Sequence, residues 1–236
     1  MEYVNRMFDL VEETNAAFDP QGMPSGRVVV GTGPLLIDRR IGALLRECRY
    51  RYPQVCLSPQ IVGPSRMEAA VLDGDIHLGL TVGPAPDTDL APPPAGLTSQ
   101  SLAPVELVPV GGPAFNDPQS RTAALRTAPV LVVDPECPSQ AILPTALRER
   151  YGADPQVIET GSASGARALA ESGCGIAMLP QSSVRPDSSL AVLPDLPRAR
   201  LDVRAVWPEQ SWMPPAVAAV LELARRVGDE KLATAA

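Results

Sequence analysis

The chain has 236 residues, 45% of them hydrophobic, a size and composition that suit one large α/β domain or two smaller ones. Its formal net charge of −7 argues against a nucleic-acid-binding surface on the chain itself. No apolar run is long enough for a membrane span, and the first eighteen residues lack the apolar block of an export signal. We therefore expect a cytoplasmic protein with no membrane association.

The first eighteen residues carry a short coiled-coil pattern. Alternating spacings of three and four, a two-heptad seam, separate Val4, Met7, Val11, Thr14 and Phe18. The pattern fits either a piece of a longer coiled coil or a helix that lies on its own domain. Residues 19–26 contain two prolines and two glycines, which end any helix and predict a hinge.

A first α/β block follows, in which three predicted strands alternate with two predicted helices. The strands are Arg27–Gly31, Val55–Ile61 and Ile76–Val82. The first helix follows Thr32–Leu36, and its apolar face consists of Ile37, Ile41, Leu44, Leu45 and Cys48. The second helix has Ser65 as its predicted N-cap, and its apolar residues are Met67, Ala70, Val71 and Leu72. The β-α-β-α-β order predicts a parallel sheet with helices packed on it.

A second block repeats this pattern after a Pro-rich, extended segment at 87–96. Its predicted elements are the strands Leu107–Val110, Val130–Val133, Gln156–Glu159, Gly175–Leu179 and Leu201–Trp207, and the helices Pro138–Tyr151, Ala166–Ser172 and Pro215–Arg226. Ser and Thr residues at 160–164 provide an N-cap for the second of these helices, and Gly173 closes it. Two successive α/β blocks predict two lobes with a cleft between them.

Ligands of open α/β sheets bind at the carboxyl ends of the strands, and the loops predicted there are small and rich in hydroxyl groups. They are 32–35, 63–65, 81–82, 134–139 and 161–164. Helix N-termini beside serine hydroxyls favour an anion or a carboxylate, although the spacing of residues 159–180 by itself favours an ordinary loop–helix–strand unit. The loops contain no nucleophile–base pair, paired carboxylates or Walker-type phosphate loop, so we expect a binding protein and not an enzyme.

The cysteines and the single histidine show no metal-ligand spacing. The four cysteines lack a CxxC motif, and His77 has no second ligand near it in the sequence, so we expect no metal and no cofactor. Cys48 lies on the apolar face of its predicted helix and Cys174 lies between glycines, and both are predicted to belong to the core.

Four motifs in this order resemble the effector-binding domain of LysR-type transcriptional regulators. They are RVVVG at 27–31 followed by a helix, YPQV at 52–55, LDGDIHLGL at 72–80 and ESGCGIAMLP at 171–180. The last of these is similar to the family pattern AGxGIxxLP. The resemblance covers residues 26 to 226.

The resemblance implies an α/β fold with two Rossmann-like lobes and a double crossover, the type 2 periplasmic-binding-protein fold. Lobe I would comprise residues 26–104 and 205–230 and lobe II residues 105–204, with crossings near 103–105 and 203–205. Residues 1–18 would be the remnant of the family's dimerising linker helix and 19–26 the hinge. The winged helix-turn-helix domain that precedes this helix in the family is absent from the 236 residues of the chain.

The resemblance also implies a function and a site. The chain would be the small-molecule sensor of a transcription regulator, a homodimer here and a tetramer in a full-length regulator, contacting DNA only through the missing domain. Its effector, a small anionic metabolite, would lie in the interlobe cleft, lined by Thr32, Pro34, Leu35, Pro64, Ser65, Val82, Cys137, Ser139 and Ser162. Thr32, Ser65, Ser139 and Ser162 would supply hydroxyl groups.

Two positions depart from the family pattern. His77 stands where Asp is usual, and we expect it to be structural or solvent-facing. Cys137 stands where peroxide-sensing members carry a reactive cysteine, but Ala146 and its neighbours provide no partner cysteine. Both a plain pocket residue and a redox sensor stay open for Cys137. Two other functions also stay open, an enzyme on the same two-lobed scaffold and a solute-binding protein.

Overall fold

The computed structural model describes residues 7, 11, 14, 23–84, 94–185, 187–210 and 212–229. These residues divide into two compact units, one from 1–104 and 202–236 and the other from 105–201. The chain therefore leaves the first unit after Pro104, inside one strand, and re-enters it at Asp202, inside another.

The first unit contains parallel strands covered by helices. Its elements are β1 (Gly26–Thr32), a π-helical turn (Ile37–Ile41), α1 (Gly42–Arg51), β2 (Val55–Ile61), α2 (Pro64–Leu72), β3 (Leu78–Pro84), the beginning of β4 (Leu97–Gly111), the end of β9 (Ala199–Pro208) and α6 (Pro215–Asp229). The strand order is β2-β1-β3-β9-β4, and β1 pairs in parallel with both β2 and β3.

The core of the first unit includes a cluster in which α2 packs on the sheet. Met67 and Val71 of α2 belong to one buried cluster with Val29 of β1, Ile76, Leu97 of β4 and Val206 of β9. Helix α2 approaches the strands closely because glycine occupies the facing positions. A Cβ atom on Gly79 would lie 2.9 Å from Met67 Sδ, and Gly79 is paired with Gly31 across β1 and β3. These glycines make room for the helix.

The second unit contains the remaining elements. They are the rest of β4, a 3₁₀ turn (Pro113–Phe115), α3 (Pro118–Thr127), β5 (Val130–Val132), a second 3₁₀ turn (Pro138–Ala141), α4 (Ile142–Tyr151), β6 (Val157–Glu159), α5 (Ala163–Glu171), β7 (Ile176–Pro180), a third 3₁₀ turn (Gln181–Ser183), β8 (Ala191–Val192) and the beginning of β9. The strand order is β4-β7-β5-β6, and β8 pairs with β4. Strand β5 is parallel to β6 and β7, whereas β4 and β7 are antiparallel.

Most predicted elements are confirmed, with three corrections. The strand predicted at 107–110 is the end of a fifteen-residue strand, β4, whose first part was concealed by four consecutive polar residues at 98–101. Helix α3 was not predicted; Asp117 caps it by accepting hydrogen bonds from the amides of Gln119 and Ser120. Ser65 is not an N-cap, because Gly63 occupies that position and α2 already begins at Pro64.

Some predictions fall wholly or partly outside the described residues. Met7, Val11 and Thr14 have helical backbone and exposed side chains, but the other two positions of the predicted seam, Val4 and Phe18, lie outside the described range. So does most of the Pro-rich segment, of which 94–96 form a turn. Within the described ranges, no helix combines the length and the hydropathy needed to cross a membrane.

Candidate functional site

In the first unit, the predicted site residues lie where three parallel strands end. Thr32, the last residue of β1, is in register with Ile61 at the end of β2 and with Leu80 in β3. Because the strands are parallel, the segments that follow them leave the sheet at one edge. This edge of the first unit therefore carries six of the nine predicted residues, namely Thr32, Pro34, Leu35, Pro64, Ser65 and Val82.

The end of β1 presents a buried hydroxyl group. Thr32 is 0% exposed, and its Oγ1 donates a long hydrogen bond of 3.4 Å to the carbonyl of Gly33. Leu35 is buried and Pro34 partly buried in the turn before the π-helical segment. Since this long bond is the one that Thr32 Oγ1 makes within the described part of the chain, the hydroxyl keeps hydrogen-bonding capacity that a ligand can use.

The segment after β2 presents the start of a helix. Gly63 is the N-cap of α2 and has no side chain to accept hydrogen bonds from the first turn. Pro64 is the first helical residue and is partly buried, and Ser65 is exposed in the first turn. Val82 is partly buried and lies inside β3, which continues to Pro84. This segment therefore contributes the start of a helix and not the serine N-cap that the sequence predicted.

In the second unit, the other three predicted residues also follow parallel strands. Val132, at the end of β5, is in register with Glu159 of β6. The amide of Thr160 donates to the carbonyl of Val132 at 2.9 Å, and Thr160 Oγ1 lies 3.2 Å from the same carbonyl. The loop after β6 is thereby bound to the end of β5. The loops that contain Cys137, Ser139 and Ser162 leave the second unit at one edge.

The loop after β5 is a buried polar turn. Cys137 Sγ and Ser139 Oγ are 3.1 Å apart, and both residues are buried. Gln140, which no sequence motif indicated, is only 4% exposed; its Oε1 accepts from the amide of Val133 at 3.0 Å. Its Nε2 is buried and has no hydrogen-bond partner among the described residues. A glutamine directly after a serine in a predicted site loop was the only sequence signal for this contact.

Ser162 is confirmed as the N-cap of α5. Its Oγ accepts from the amide of Gly165 at 3.0 Å, and a Cβ on Gly165 would stand 3.0 Å from the same oxygen. Glycine at this position therefore lets the serine cap the helix closely. The helix ends where Gly173 takes a φ of +79°.

A second polar group lies on the strands β4 and β9 and was not predicted as part of the site. Ser101 Oγ donates to Asp202 Oδ1 at 2.8 Å, and Arg204 Nη2 donates to Ser99 Oγ at 3.0 Å. Asp202 is 1% exposed. The sequence signal was an acid and a base two positions apart in a strand that is otherwise largely apolar, with serines two positions apart in the neighbouring strand.

The histidine has a structural contact. His77 Nδ1 accepts a hydrogen bond from the amide of Val29 at 3.0 Å, and its own amide donates to the carbonyl of Val29 at 2.9 Å. The imidazole thus extends the pairing beside β1, which confirms the structural interpretation.

The cysteines divide into two buried and two exposed residues. Cys48 is buried as predicted, and burial, with a smaller effect of nearby Cys56, raises the pKa of its thiol. Cys174 is exposed, contrary to prediction, because it lies in the turn between the end of α5 and β7. No group of three or more His, Cys, Asp or Glu residues in the described part of the chain is arranged to hold a metal ion.

Comparison with known proteins identifies a family and several similar structures. The family model for the LysR substrate binding domain matches residues 21–229. ArgP from Mycobacterium tuberculosis has a TM-score of 0.75 at 16% identity, over 97% of this chain and 76% of that chain. The reduced regulatory domain of OxyR2 from Vibrio vulnificus has a TM-score of 0.66 at 16% identity, over 87% of this chain and 97% of that one.

The regulatory domain of CcmR from Synechocystis PCC6803, in complex with 2-PG, has a TM-score of 0.64 at 17% identity, over 88% of this chain and 99% of that one. No curated protein sequence matches the chain. At these identities the structural similarities establish the fold, and they confirm the predicted α/β class with its type 2 periplasmic-binding-protein architecture.

Proposed function

Because the chain belongs to the LysR substrate binding domain family, we propose that it senses a small anionic metabolite through the carboxyl-end loops of its two units. The observation that carries this proposal is chemical. In each unit, hydroxyl groups and a helix start lie together where parallel strands end: Thr32 with α2 in the first unit, and Ser139 and Ser162 with α5 in the second. Such groups hold an anion by hydrogen bonds without reacting with it.

The nine predicted residues are the proposed effector contacts. Their exposure is graded, since Thr32, Leu35, Cys137 and Ser139 are buried, Ser65 is exposed, and the remaining four are partly buried. Within each unit, we propose that the buried residues determine specificity and that the exposed or partly buried ones face the solvent. We propose that Cys137 is a plain site residue, because its sulfur has a hydroxyl neighbour, Ser139, and no second cysteine is paired with it.

We propose that the effector is bound and released unchanged. Among the described residues, the loops at the strand ends bring no histidine or carboxylate into hydrogen-bond contact with Ser139, Ser162 or Cys137. Nucleophilic catalysis by a serine or a cysteine needs such a base. The CcmR regulatory domain, described in complex with 2-PG, is a precedent for ligand binding on this fold.

We propose further that the protein works in the cytoplasm as a homodimer and is a tetramer in a complete regulator, where a separate N-terminal winged helix-turn-helix domain contacts DNA. Helical backbone with 70% exposure at Met7 and 55% at Val11 supports an association surface at the N-terminal segment. Effector binding would then change the relative populations of regulator states.

The experiment is a thermal-denaturation screen of the purified chain against matched pairs of metabolites, each acid or phosphate ester with its neutral analogue. A ligand selective for the native state raises the melting temperature saturably with concentration. We expect anionic members to stabilise the protein and their neutral analogues not to. Mass spectrometry of the recovered ligand checks that it is unchanged. A panel without any saturable stabilisation, or a ligand recovered as product, contradicts the proposal.

A further inference from the structure

Arg204 is a partly buried arginine of β9 that forms no ion pair with a carboxylate of the described residues. Its Nη2 donates to Ser99 Oγ, while its Nε is buried and has no hydrogen-bond partner in the described part of the chain. A buried donor without an acceptor costs free energy, and a charged one costs more, so this arrangement requires an explanation.

Asp202, the nearest acid along the strand, does not serve as the counterion. It is two residues from Arg204 and therefore lies on the same face of β9. However, its Oδ1 accepts from Ser101, and its Oδ2 is buried without a partner among the described residues. The acid and the base are each bonded to a separate serine of β4, and each has a buried polar atom that no described residue contacts by a hydrogen bond.

The position of Arg204 places it at the carboxyl-end edge of the first unit. Leu97 and Val206 pack in the cluster beneath α2, and the strand period of two puts Ser99 and Arg204 on the same face of the sheet. Arg204 Cδ lies 3.6 Å from the position that a Cβ on Gly83 would occupy, next to the end of β3. Helix α2 begins on this face, at the edge where β2 ends.

We propose that Arg204 binds the oxyanion group, carboxylate or phosphate, of the effector. This inference rests on the proposed function. It names Arg204 as the group that recognises the negative charge of the effector, a role that the hydroxyl groups alone do not fill. The planar guanidinium carries five N–H donors, of which one on Nη2 is used by Ser99, so Nε and a neighbouring nitrogen can present two donors to two oxygens of an oxyanion. The uncapped start of α2 adds a favourable dipole on the same sheet face.

The experiment follows the Arg204 Nε–H signal by ¹⁵N NMR while inorganic phosphate or acetate is added at constant ionic strength. The signal is assigned from its loss in Arg204→Lys. We expect at least one probe to shift it saturably, and Arg204→Gln to weaken binding of that probe by about ten- to a hundredfold, as loss of a charged hydrogen bond predicts. Arg204→Lys keeps the charge but not the two-donor geometry, and we expect intermediate affinity. A stronger response to phosphate indicates a phosphate ester as the effector class, and a stronger response to acetate indicates a carboxylic acid.

The matched control is Arg200→Gln, because Arg200 is an exposed arginine on the same strand and its loss changes the net charge equally. We expect it to leave probe affinity within about twofold, as expected for screened surface charge. Equal effects of the two variants, or a signal that neither probe moves, overturn the inference. An effector that stabilises wild type and Arg204→Gln equally also overturns it but leaves the proposed function intact. A probe bound at Arg204 with no stabilising metabolite supports the anion site and contradicts the proposed function.

Discussion

Ser101 donates a hydrogen bond to Asp202 between neighbouring strands, with 2.8 Å between Oγ and Oδ1. The serine is exposed, whereas the aspartate is 1% exposed, so an exposed hydroxyl group satisfies one oxygen of a buried carboxylate. The chain changes units immediately beside this pair, after Pro104 and before Asp202. The contact therefore stabilises β9 at the point where this strand enters the first unit.

Replacing Ser101 by alanine removes that donor. We expect Ser101→Ala to lower the free energy of unfolding by about 1 kcal/mol or somewhat more, the usual cost of losing a hydrogen bond to a charged group that is kept from water. Urea denaturation measures it. The control is Ser172→Ala, an exposed serine that donates to the carbonyl of Ala168, for which we expect less than about 0.5 kcal/mol. Equal losses would show that the buried partner does not matter.

Gly112 is required by a close backbone contact. A Cβ on this residue would overlap the carbonyl oxygen of Ala170 and stand 3.4 Å from the amide nitrogen of Gly173, at the end of α5. Backbone atoms cannot rotate away, so we expect Gly112→Ala to destabilise the protein by about 1–3 kcal/mol, the typical cost of overpacking. Gly42→Ala is the control, because a Cβ there meets nothing within 4 Å and alanine favours a helix. A Gly112→Ala protein as stable as wild type would contradict this contact.

Asp117 makes stability depend on acidity. The side-chain hydrogen bond from Ser120, followed by that from the amide of Gln119, lowers the pKa of Asp117 below its ordinary value of 3.8. A carboxyl group with a lowered native pKa stabilises the protein above its ordinary pKa, and this contribution is lost as the pH falls through the lowered value. We expect the urea midpoint of wild type to exceed that of Asp117→Asn at neutral pH and the two to converge in acid. A difference that is constant with pH would rule out the carboxylate as its source.

The sequence predicted the alternating elements well because local signals agree with tertiary packing there. The strand Val55–Ile61 was located at its observed bounds, and Ser162 was among the predicted caps, because an apolar run and a hydroxyl before a helix are local features. Helix α3 was missed because its apolar content is low; only Leu125 is buried. The periodicity that reveals an amphipathic helix was therefore absent.

The candidate site was only partly predictable for a related reason. In the sequence, Thr32 and Ser139 come after predicted strands, so the parallel order was enough to place them at sheet edges. Arg204 and Ser99 are 105 positions apart in the sequence and form a hydrogen bond between two strands, and no local pattern specifies such a pair. Gln140 was missed because its buried bond to the amide of Val133 depends on how the turn folds back.

The buried hydroxyl of Thr32 provides a test of the proposed effector contacts. Thr32→Val keeps the shape and suits a strand, and it removes only a long hydrogen bond of 3.4 Å, so we expect modest destabilisation, about 1 kcal/mol. If the hydroxyl contacts the effector, affinity falls by about fivefold or more. Thr127→Val is the matched control, because Thr127 also donates a 3.4 Å bond to a carbonyl but is exposed in α3. Calorimetric titration with a compound from the thermal screen measures both. Unchanged affinity in Thr32→Val removes this residue from the site.

The charge of Asp202 provides a test in which tighter binding of the anion is expected. Asp202→Asn keeps an oxygen to accept from Ser101 but removes a negative charge on the same strand face as Arg204. If Arg204 binds an anion, this charge repels the ligand, so Asp202→Asn is expected to bind the phosphate or acetate probe about two- to tenfold more tightly, as for partly screened like charges. The same NMR titration measures the change, with Asp195→Asn, which pairs with Arg121 in the second unit, as the control. Weaker binding in Asp202→Asn would mean that Asp202 positions Arg204 for the ligand and does not oppose it.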